Sequence, residues 1–454
     1  MNLRVITLCA AAFALIGAAQ RAFGQAAEAP VPGSNLKVSV LTFGPGDDPW
    51  EKFGHNAIRI QIDDPFAPSE FRDVAYNWGY FDFEQKNFYV NFIQGRLLYA
   101  MIGEPGEKTM LGYKERLNRS VWEQELNLAP AQRLTLWKKL VRMDTDANRY
   151  YRYDYYTYNC STRVRDEIDD ITVGRLGALT KGVPSGTTFR FHTRRLIAES
   201  PWLYVALQGV LGHGAPGHEM DRPISQWDEM FLPTKLHDRL NEVKVMIDGR
   251  EVPLVKSDNA WFTSNRPLSP QRPPATVPWF LGAGLVLSAA FIGLGRIARR
   301  HWAARIGLIL LSVPWTALMG VGGAIILWAW FFTDHLVAAR NENVLHVSAL
   351  ALPLLVLMPM LAMGRRRGAR VTKWLAVSIA AISLLGAVLK LLPGFYQVNW
   401  DIIALCLPVN VAMAWVAWKL SGVILAAPVA PAGVETVEEK QPGKTRPGGK
   451  RTRA

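Results

Sequence analysis

The sequence predicts two parts of different fold class, an α+β domain followed by an all-α bundle of about five transmembrane helices. Residues 27–263 alternate short strand-like and helix-like patterns and are rich in aromatic residues, as in a soluble domain. Residues 275–422 are dominated by apolar runs long enough to cross a bilayer. Residues 264–274 contain four prolines, which is typical of a stiff linker. The division between the two parts therefore falls at this linker.

The two ends of the chain carry signals of a different kind. Residues 1–26 resemble a secretory signal peptide, with Arg4 as its positive charge and 5–19 as an apolar stretch shorter than a membrane span. The 27–263 domain is therefore expected to be exported. The basic, Pro/Gly-rich residues 423–454 predict a disordered tail.

The exported domain contains a series of short strand and helix patterns. Ile58, Ile60 and Ile62 alternate with more polar residues, which predicts a strand with one buried face. Asp248 and Gly249 lie between two apolar runs and predict a hairpin turn. The predicted strands cover 38–43, 55–62, 73–79 and 121–128, the predicted helix covers 130–143, and the predicted hairpin covers 243–254.

The segment 81–99 is dense in aromatic residues and has two interpretations. In the first, it is a helix that packs Phe88 and Phe92 into the core. In the second, it forms an apolar wall for an acyl chain or a rim that faces a membrane. The pattern of residues does not separate the two.

The exported domain has a single thiol, Cys160, because Cys9 lies in the leader and Cys406 lies in a late apolar run. No internal disulfide is possible in this domain. In an oxidising compartment, a thiol without an internal partner is a candidate for chemistry. The alternative is a small buried residue, since free cysteine is among the most buried residue types.

Cys160 stands at the predicted start of a helix. Val164, Ile168 and Ile171 recur at helical spacing, which predicts Asn159 as the N-cap and Cys160 in the first turn. Unpaired N–H groups and the positive end of the helix dipole favour thiolate, which is the reactive form.

His55 stands at the head of the predicted strand that ends at Ile62. It shares parity with Ala57 and Arg59 on the more polar face of that strand. A lone histidine is usually a surface or core residue, but an imidazole that meets Cys160 in the fold would form a nucleophile–base pair.

The histidines that follow do not predict a metal site. His213, His218 and Asp221 lie in a Gly-rich loop, and their spacing matches no standard zinc pattern. Neither a metal nor a cofactor is predicted.

The membrane half orients the chain. Basic residues cluster after the first apolar span, between the third and fourth, and in the tail, which places all three stretches on one side. By the positive-inside rule that side is the cytoplasm, so the exported domain and the loops 332–346 and 393–401 face outward. The net charge of +13 therefore reflects membrane orientation, and no nucleic-acid partner is predicted. The predicted spans are 275–295, 306–331, 347–363, 374–392 and 402–420.

Five short motifs occur in order along the chain: FGHNA at 53–57, YNWGYFDF at 76–83, YNCST at 158–162, MFLP at 230–233 and the loop 335–343. A histidine before the cysteine in the chain resembles the lecithin:retinol acyltransferase type of NlpC-like fold, which implies a permuted NlpC/papain-like domain. Together the five motifs resemble the Lnb-type family, which combines an exported thiol domain with a membrane bundle.

The resemblance implies a bacterial lipoprotein N-acyltransferase of the inner membrane, with its large domain in the periplasm and its C-terminus in the cytoplasm. Cys160 would accept a fatty acyl group from a phospholipid as a thioester. It would then pass that group to an amine, such as the N-terminus of a lipoprotein. His55 would be the base. The implied partners are the phospholipid donor, the lipoprotein or another amine acceptor, and the bilayer itself.

The resemblance also assigns supporting roles around the thiol. Asn77 would orient the imidazole, with Tyr76 as the competing candidate. The backbone N–H groups of Cys160 and Ser161, with Asn159 nearby, would bind the oxyanion or substrate.

Two other functions fit the same residues. The first is a cell-wall amidase or peptidase of the NlpC type, which acts on soluble peptide cross-links. The second is a non-enzymatic envelope scaffold in which Cys160 and His55 are packing residues.

Overall fold

The computed structural model describes residues 31–427. The predicted signal peptide and residues 428–454 of the predicted tail lie outside this range. The strands of the described chain are β1 Leu36–Phe43, β2 His55–Ile62, β3 Asp73–Tyr80, β4 Leu98–Pro105, β5 Val121–Leu126, β6 Tyr150–Arg152, β7 Lys244–Ile247, β8 Arg250–Pro253 and β9 Val255–Phe262.

Seven of these strands form one antiparallel sheet in the order β6-β4-β3-β2-β1-β5-β9, and β7 pairs with β8 as a separate hairpin. In the register of β2 and β3, Ala57 lies opposite Asn77 and Gln61 lies opposite Asp73. His55 and Asn77 are therefore near one end of the sheet, while the loop after Ile62 is at the other end.

The sheet domain also contains ten short helices within the described residues. They are α1 Ser69–Arg72, α2 Phe88–Ile93, α3 Gly106–Leu111, α4 Pro130–Met143, α5 Cys160–Ile171, α6 Arg175–Thr180, α7 Phe189–Leu196, α8 Pro201–Val210, α9 Gln226–Glu229 and α10 Pro233–Leu240. A single π-helical turn, Gly112–Arg116, continues α3. This part of the chain is an α+β domain, as the sequence predicts.

The core of the domain follows the predicted periodicities. Ile58 and Ile60 share one buried cluster with Val164 and Ile168, which brings the apolar face of α5 against the sheet. Full burial of each such side chain stabilises the fold by roughly 1.5–3 kcal/mol. The predicted helix 130–143 matches α4, and the predicted hairpin is β7–β8 with Asp248 at a positive φ of 51° in its turn.

The segment 81–99 is not one long helix. Only Phe88–Ile93 is helical, and β4 begins at Leu98. Phe88 is buried, whereas Phe92 is 45% exposed. Core packing therefore accounts for Phe88 alone.

The C-terminal part consists of helices. They are α11 Val277–Ile297, α12 Trp302–Phe332, α13 Leu354–Ala362, α14 Ala369–Leu389 and α15 Trp400–Ala426. Four of them, all except α13, are long and apolar enough to cross a membrane within the described chain.

The predicted span 347–363 differs from the structure. Two 3-10 turns, Glu342–Leu345 and Ala349–Ala351, precede α13, whose nine residues are only about 14 Å long. Pro353 supplies the cap residue of α13 and so fixes where regular helix begins. The amide of Asn410 donates to the carbonyl of His346 at 3.0 Å. This side chain therefore supplies a hydrogen bond that a backbone N–H would supply in a regular helix. Hydropathy alone did not show this interruption, so a fifth regular span is not confirmed.

Buried polar contacts join the two parts of the chain. Asp401, at the start of α15, accepts hydrogen bonds from Gln208 at 3.1 Å and from Tyr204 at 3.3 Å. Asn341 and Asn343, between α12 and α13, donate to the carbonyl of Gly209 at 2.9 and 3.1 Å. The sheet domain is therefore attached to the helical part through α8.

Candidate active site

The candidate site lies at the end of the sheet where β2 begins and β3 ends. His55 is the first residue of β2, and Asn77 is on the same face of the neighbouring strand. The ring of His55 stacks with Phe43 and Tyr113 at centroid distances of 5.8 and 6.1 Å. These aromatic neighbours restrict the imidazole to one orientation.

Asn77 fixes the tautomer of His55. The Nε2 atom of His55 lies 3.1 Å from Oδ1 of Asn77. The amide of Asn77 is oriented in turn, because its Nδ2 donates to the carbonyl of Ala75 at 3.1 Å and to Glu104 at 3.3 Å. Oδ1 is therefore the acceptor, Nε2 carries the proton, and Nδ1 is the nitrogen free to accept one.

Burial keeps the imidazole neutral. Desolvation lowers the pKa of His55 to about 4, and Arg119 adds a smaller electrostatic effect in the same direction, while the hydrogen bond to Asn77 opposes both. At neutral pH the ring is unprotonated and able to act as a base.

Cys160 occupies the first turn of α5, as the sequence predicts. Asn159 is the N-cap, and its Oδ1 accepts the N–H of Thr162 at 2.9 Å. The side chains on either side of the thiol are engaged in holding the helix start. Asn159 Nδ2 donates to the carbonyl of Phe231 at 2.9 Å, and the Ser161 hydroxyl donates to the carbonyl of Met230 at 2.6 Å.

The thiol itself is surrounded by hydrogen-bond donors. The backbone N–H groups of Asn56 and Ser161 and the hydroxyl of Tyr153 all lower the pKa of Cys160. Desolvation by burial is larger than these effects, so the pKa of the thiol is raised overall. The sequence predicted that the helix start would favour thiolate. The structure corrects this expectation, because burial outweighs the helix start and the resting group is a neutral thiol.

The structure brings His55 and Cys160 to the same end of β2. The backbone N–H that reaches the sulfur belongs to Asn56, the residue next to His55, and Tyr113 is beside the imidazole and within electrostatic reach of the thiol. No hydrogen bond between the two side chains is present in residues 31–427. Apo geometry of a nucleophile–base pair is often loose and tightens with substrate.

Two family models together cover most of the chain. Residues 23–199 match the model of the Lnb N-terminal periplasmic domain, and residues 274–420 match the model of the Lnb transmembrane domain. The chain belongs to the Lnb family. It is a membrane protein of the Lnb type with a periplasmic N-terminal domain. Neither the curated proteins nor the solved structures contain a significant match.

Tyr76 does not join the site of this Lnb chain. Its side chain is on the face of β3 opposite to Asn77, where it is hydrogen-bonded to Trp137 of α4 and lies near Asp144. Its pKa is raised to about 12, with desolvation as the largest cause. Of the two candidates for orienting the imidazole, the structure brings only Asn77 into contact with it.

Two side chains at the candidate site were not predicted from the sequence. The hydroxyl of Tyr153 lies close enough to Cys160 that it lowers the pKa of the thiol, while the backbone of Cys160 lowers the pKa of Tyr153 in turn. Arg119 is buried, forms an ion pair with Glu51 at 3.2 Å, and stacks over the ring of Tyr113 at 4.7 Å. The tyrosine-rich run 150–158 was the one signal for Tyr153, and no pattern singled out Arg119.

The three residues of the Gly-rich loop have separate neighbours, and His213 packs against Tyr396 at a ring-centroid distance of 4.2 Å. Asp221 pairs with Arg190 at 2.9 Å, and His218 lies 3.8 Å from Asp154. Within residues 31–427, no group of three or more metal-ligating side chains is close enough to hold an ion.

A small cavity of about 30 Å³, with room for one or two water molecules, lies beside the candidate site, although neither His55 nor Cys160 lines it. It lies between the sheet domain and the segment that follows α12, and Tyr153 forms part of its wall. Phe231 of the MFLP motif at 230–233 and Val337 of this segment belong to one buried cluster. The other lining residues include Phe92, Leu97, Tyr99, Tyr155 and His335.

Proposed function

We propose that this chain is a membrane-bound cysteine acyltransferase. It moves a fatty acyl group from a phospholipid through a thioester on Cys160 to an amine, with a lipoprotein N-terminus as the acceptor. The observation that carries the proposal is a thiol at a helix start, beside an oriented and neutral His55, at the end of the sheet that adjoins the membrane domain. The bilayer supplies the acyl donor, and no nucleic acid, metal or cofactor takes part.

We also propose a fold for the periplasmic domain and an orientation of the chain in the membrane. The order of His55 before Cys160 supports a permuted NlpC-like arrangement of the α+β domain. We place the protein in a bacterial inner membrane, with the sheet domain in the periplasm and the C-terminus in the cytoplasm. The cytoplasmic side is supported by the basic residues near the ends of α11 and α13.

The reaction runs in two acyl transfers. Nδ1 of His55 takes the thiol proton as the sulfur attacks the ester carbonyl, and the proton then passes to the oxygen of the departing lysophospholipid. The amine attacks the resulting thioester, His55 takes a proton from the nitrogen, and the sulfur leaves and recovers that proton. An ester and an amine are thereby converted to an alcohol and an amide.

The neutral thiol and the neutral imidazole suit these two reaction steps. Neither group carries charge before the donor binds, so the pair is stable in a buried site. Charge develops only as the carbonyl is attacked, next to the N–H donors that already surround the sulfur. Exclusion of water protects the thioester from hydrolysis.

Tyr153 is expected to donate to the oxyanion, because its hydroxyl is a hydrogen-bond donor close to Cys160 and lowers the pKa of the thiol. Tyr153→Phe should lower kcat by about 10²-fold, as expected for one oxyanion donor, with little change in KM. Tyr155→Phe alters a neighbouring wall residue of the cavity and should leave kcat near the wild-type value. If both variants changed only KM, and by the same factor, Tyr153 would not be a donor to the oxyanion.

The pH dependence follows from the lowered pKa of His55. The imidazole must be neutral to accept the thiol proton, so kcat/KM falls as the pH drops through about 4. Between pH 6 and pH 8 the rate should be level, since the thiol's pKa is raised and the thiol stays neutral there. A pH–rate profile with its acid midpoint near 6.5 would show an unperturbed histidine and contradict the predicted desolvation.

The proposal is tested by supplying the full chain, in phospholipid vesicles, with a lipopeptide that has a free amino terminus. Mass spectrometry should show one acyl group added to the lipopeptide and one lysophospholipid released for each product. A parallel reaction with cell-wall peptides tests the amidase alternative. Cleavage of those peptides without acylation of the lipopeptide would replace the proposed function with hydrolysis.

A further inference from the structure

The helix α2 presents an apolar face that the sheet domain does not cover. Tyr89 is 74% exposed, and Val90, Phe92 and Ile93 are each about half exposed. The run 87–95 contains no charged residue. Exposed apolar groups in such a run are typical of a surface with a partner.

Hydrogen bonds attach α2 to the chain immediately beyond a membrane helix. The N–H of Asp334 donates to the carbonyl of Gln94 at 2.8 Å, and Nε2 of His335 lies 3.1 Å from the carbonyl of Ile93. Arg96 donates to Asp334 at 3.1 Å. Since α12 ends at Phe332, two residues before Asp334, α2 lies within about 10 Å of the end of α12.

The end of α12 marks the edge of the bilayer. Its 31 residues span about 46 Å, which covers the hydrocarbon core and both headgroup layers. Phe331 and Phe332 are both exposed at this end, and Trp328, one turn below, is partly exposed. Exposed aromatic residues at the end of a membrane helix are typical of the interface between lipid and water. The apolar face of α2 is therefore at the same level as the headgroups.

We propose that the exposed face of α2 inserts into the periplasmic leaflet, so that the adjoining cavity opens directly to phospholipid. Lipid is the occupant that fits, because the face is uncharged, apolar and continuous with the outer end of α12. Phe92 of α2, Tyr99 and Tyr153 line this cavity, and Tyr153 is close enough to Cys160 to lower the pKa of its thiol. Entry of an acyl chain along this path requires the cavity to widen from about 30 Å³ and rests on the proposed function, whereas insertion of α2 does not.

Photo-cross-linking in the full chain tests the insertion. p-Benzoylphenylalanine replaces Tyr89, and the protein is placed in vesicles of phosphatidylethanolamine and phosphatidylglycerol. Phe66 is the matched control, because it is 94% exposed but follows β2 at the opposite end of the sheet, about 26 Å of strand away. Leu310 is the positive control, because it is 69% exposed and lies within the membrane helix α12.

We expect phospholipid adducts at Tyr89 at a yield close to that at Leu310, and at least tenfold above that at Phe66. A yield at Tyr89 no greater than that at Phe66 would overturn the insertion. This readout does not depend on catalysis, so it separates a failure of the inference from a failure of the proposed acyl transfer.

A charged variant tests the lipid path. Tyr89→Glu combined with Ile93→Glu should raise KM for vesicle phospholipid about tenfold, while transfer from a water-soluble short-chain thioester stays at the wild-type rate. Phe66→Glu should change neither value. Unchanged KM for vesicle phospholipid in the double variant would exclude α2 from the path of the donor.

Discussion

Cys160→Ser is expected to abolish acyl transfer, with a loss of roughly 10³-fold or more. The hydroxyl of serine is a far weaker nucleophile than a thiol beside a neutral imidazole, because the base has pKa about 4 and the serine proton is much less acidic. Cys160 is 7% exposed, and serine has nearly its volume, so the α5 start should remain folded. The measurement is the rate of lipopeptide acylation in phospholipid vesicles.

Cys406→Ser provides the matched control. Cys406 is also buried and free, but it lies in α15, where its sulfur is 3.8 Å from that of Met319. This variant should retain the wild-type rate of transfer. If Cys160→Ser transferred acyl groups as fast as Cys406→Ser, the thiol of Cys160 would be a packing residue and the reaction would not pass through a thioester on it.

His55→Gln is expected to lower kcat/KM by about 10²–10⁴-fold, the usual contribution of a general base. Glutamine can keep the hydrogen bond to Asn77 but cannot accept a proton as Nδ1 does. Asn77→Ala should lower kcat/KM by a smaller factor, about tenfold. The imidazole is still present in this variant, and only its orientation and tautomer are no longer fixed.

His237→Gln controls for the loss of any histidine. His237 is in α10 and bonds to Asp258 of β9 at 3.1 Å, away from the thiol. Its substitution should leave kcat/KM unchanged. A His55 variant as active as the His237 variant would mean that the thiol loses its proton to another group.

The local elements were predictable because their signals are local. The alternation of Ile58, Ile60 and Ile62 predicted β2, and Asn159 before a helical periodicity predicted the cap of α5. The histidine and the cysteine were identified from residue type, position and family resemblance. The sequence also placed Asn77 near the end of its strand, where it contacts His55.

The contributions of tertiary packing were not predictable from the sequence. Tyr153 lies close enough to Cys160 to lower the pKa of the thiol because the chain between β6 and α5 brings it there, and no spacing rule encodes that path. The position of Cys160 at the start of a helix predicted that thiolate is favoured. Burial has the larger effect on the pKa of Cys160, and the extent of burial depends on how the whole core packs. In the membrane part, hydropathy could not reveal that polar contacts from Asn410 replace regular helix near His346.

The most direct test of the account is intact-mass analysis of the full chain after exposure to phospholipid vesicles without an amine acceptor. We predict a species heavier by one fatty acyl group, located at Cys160 by peptide mapping and released by neutral hydroxylamine. Addition of the lipopeptide should remove it at the rate at which product appears. Product formation without any acylated Cys160, under conditions that preserve thioesters, would contradict the central claim.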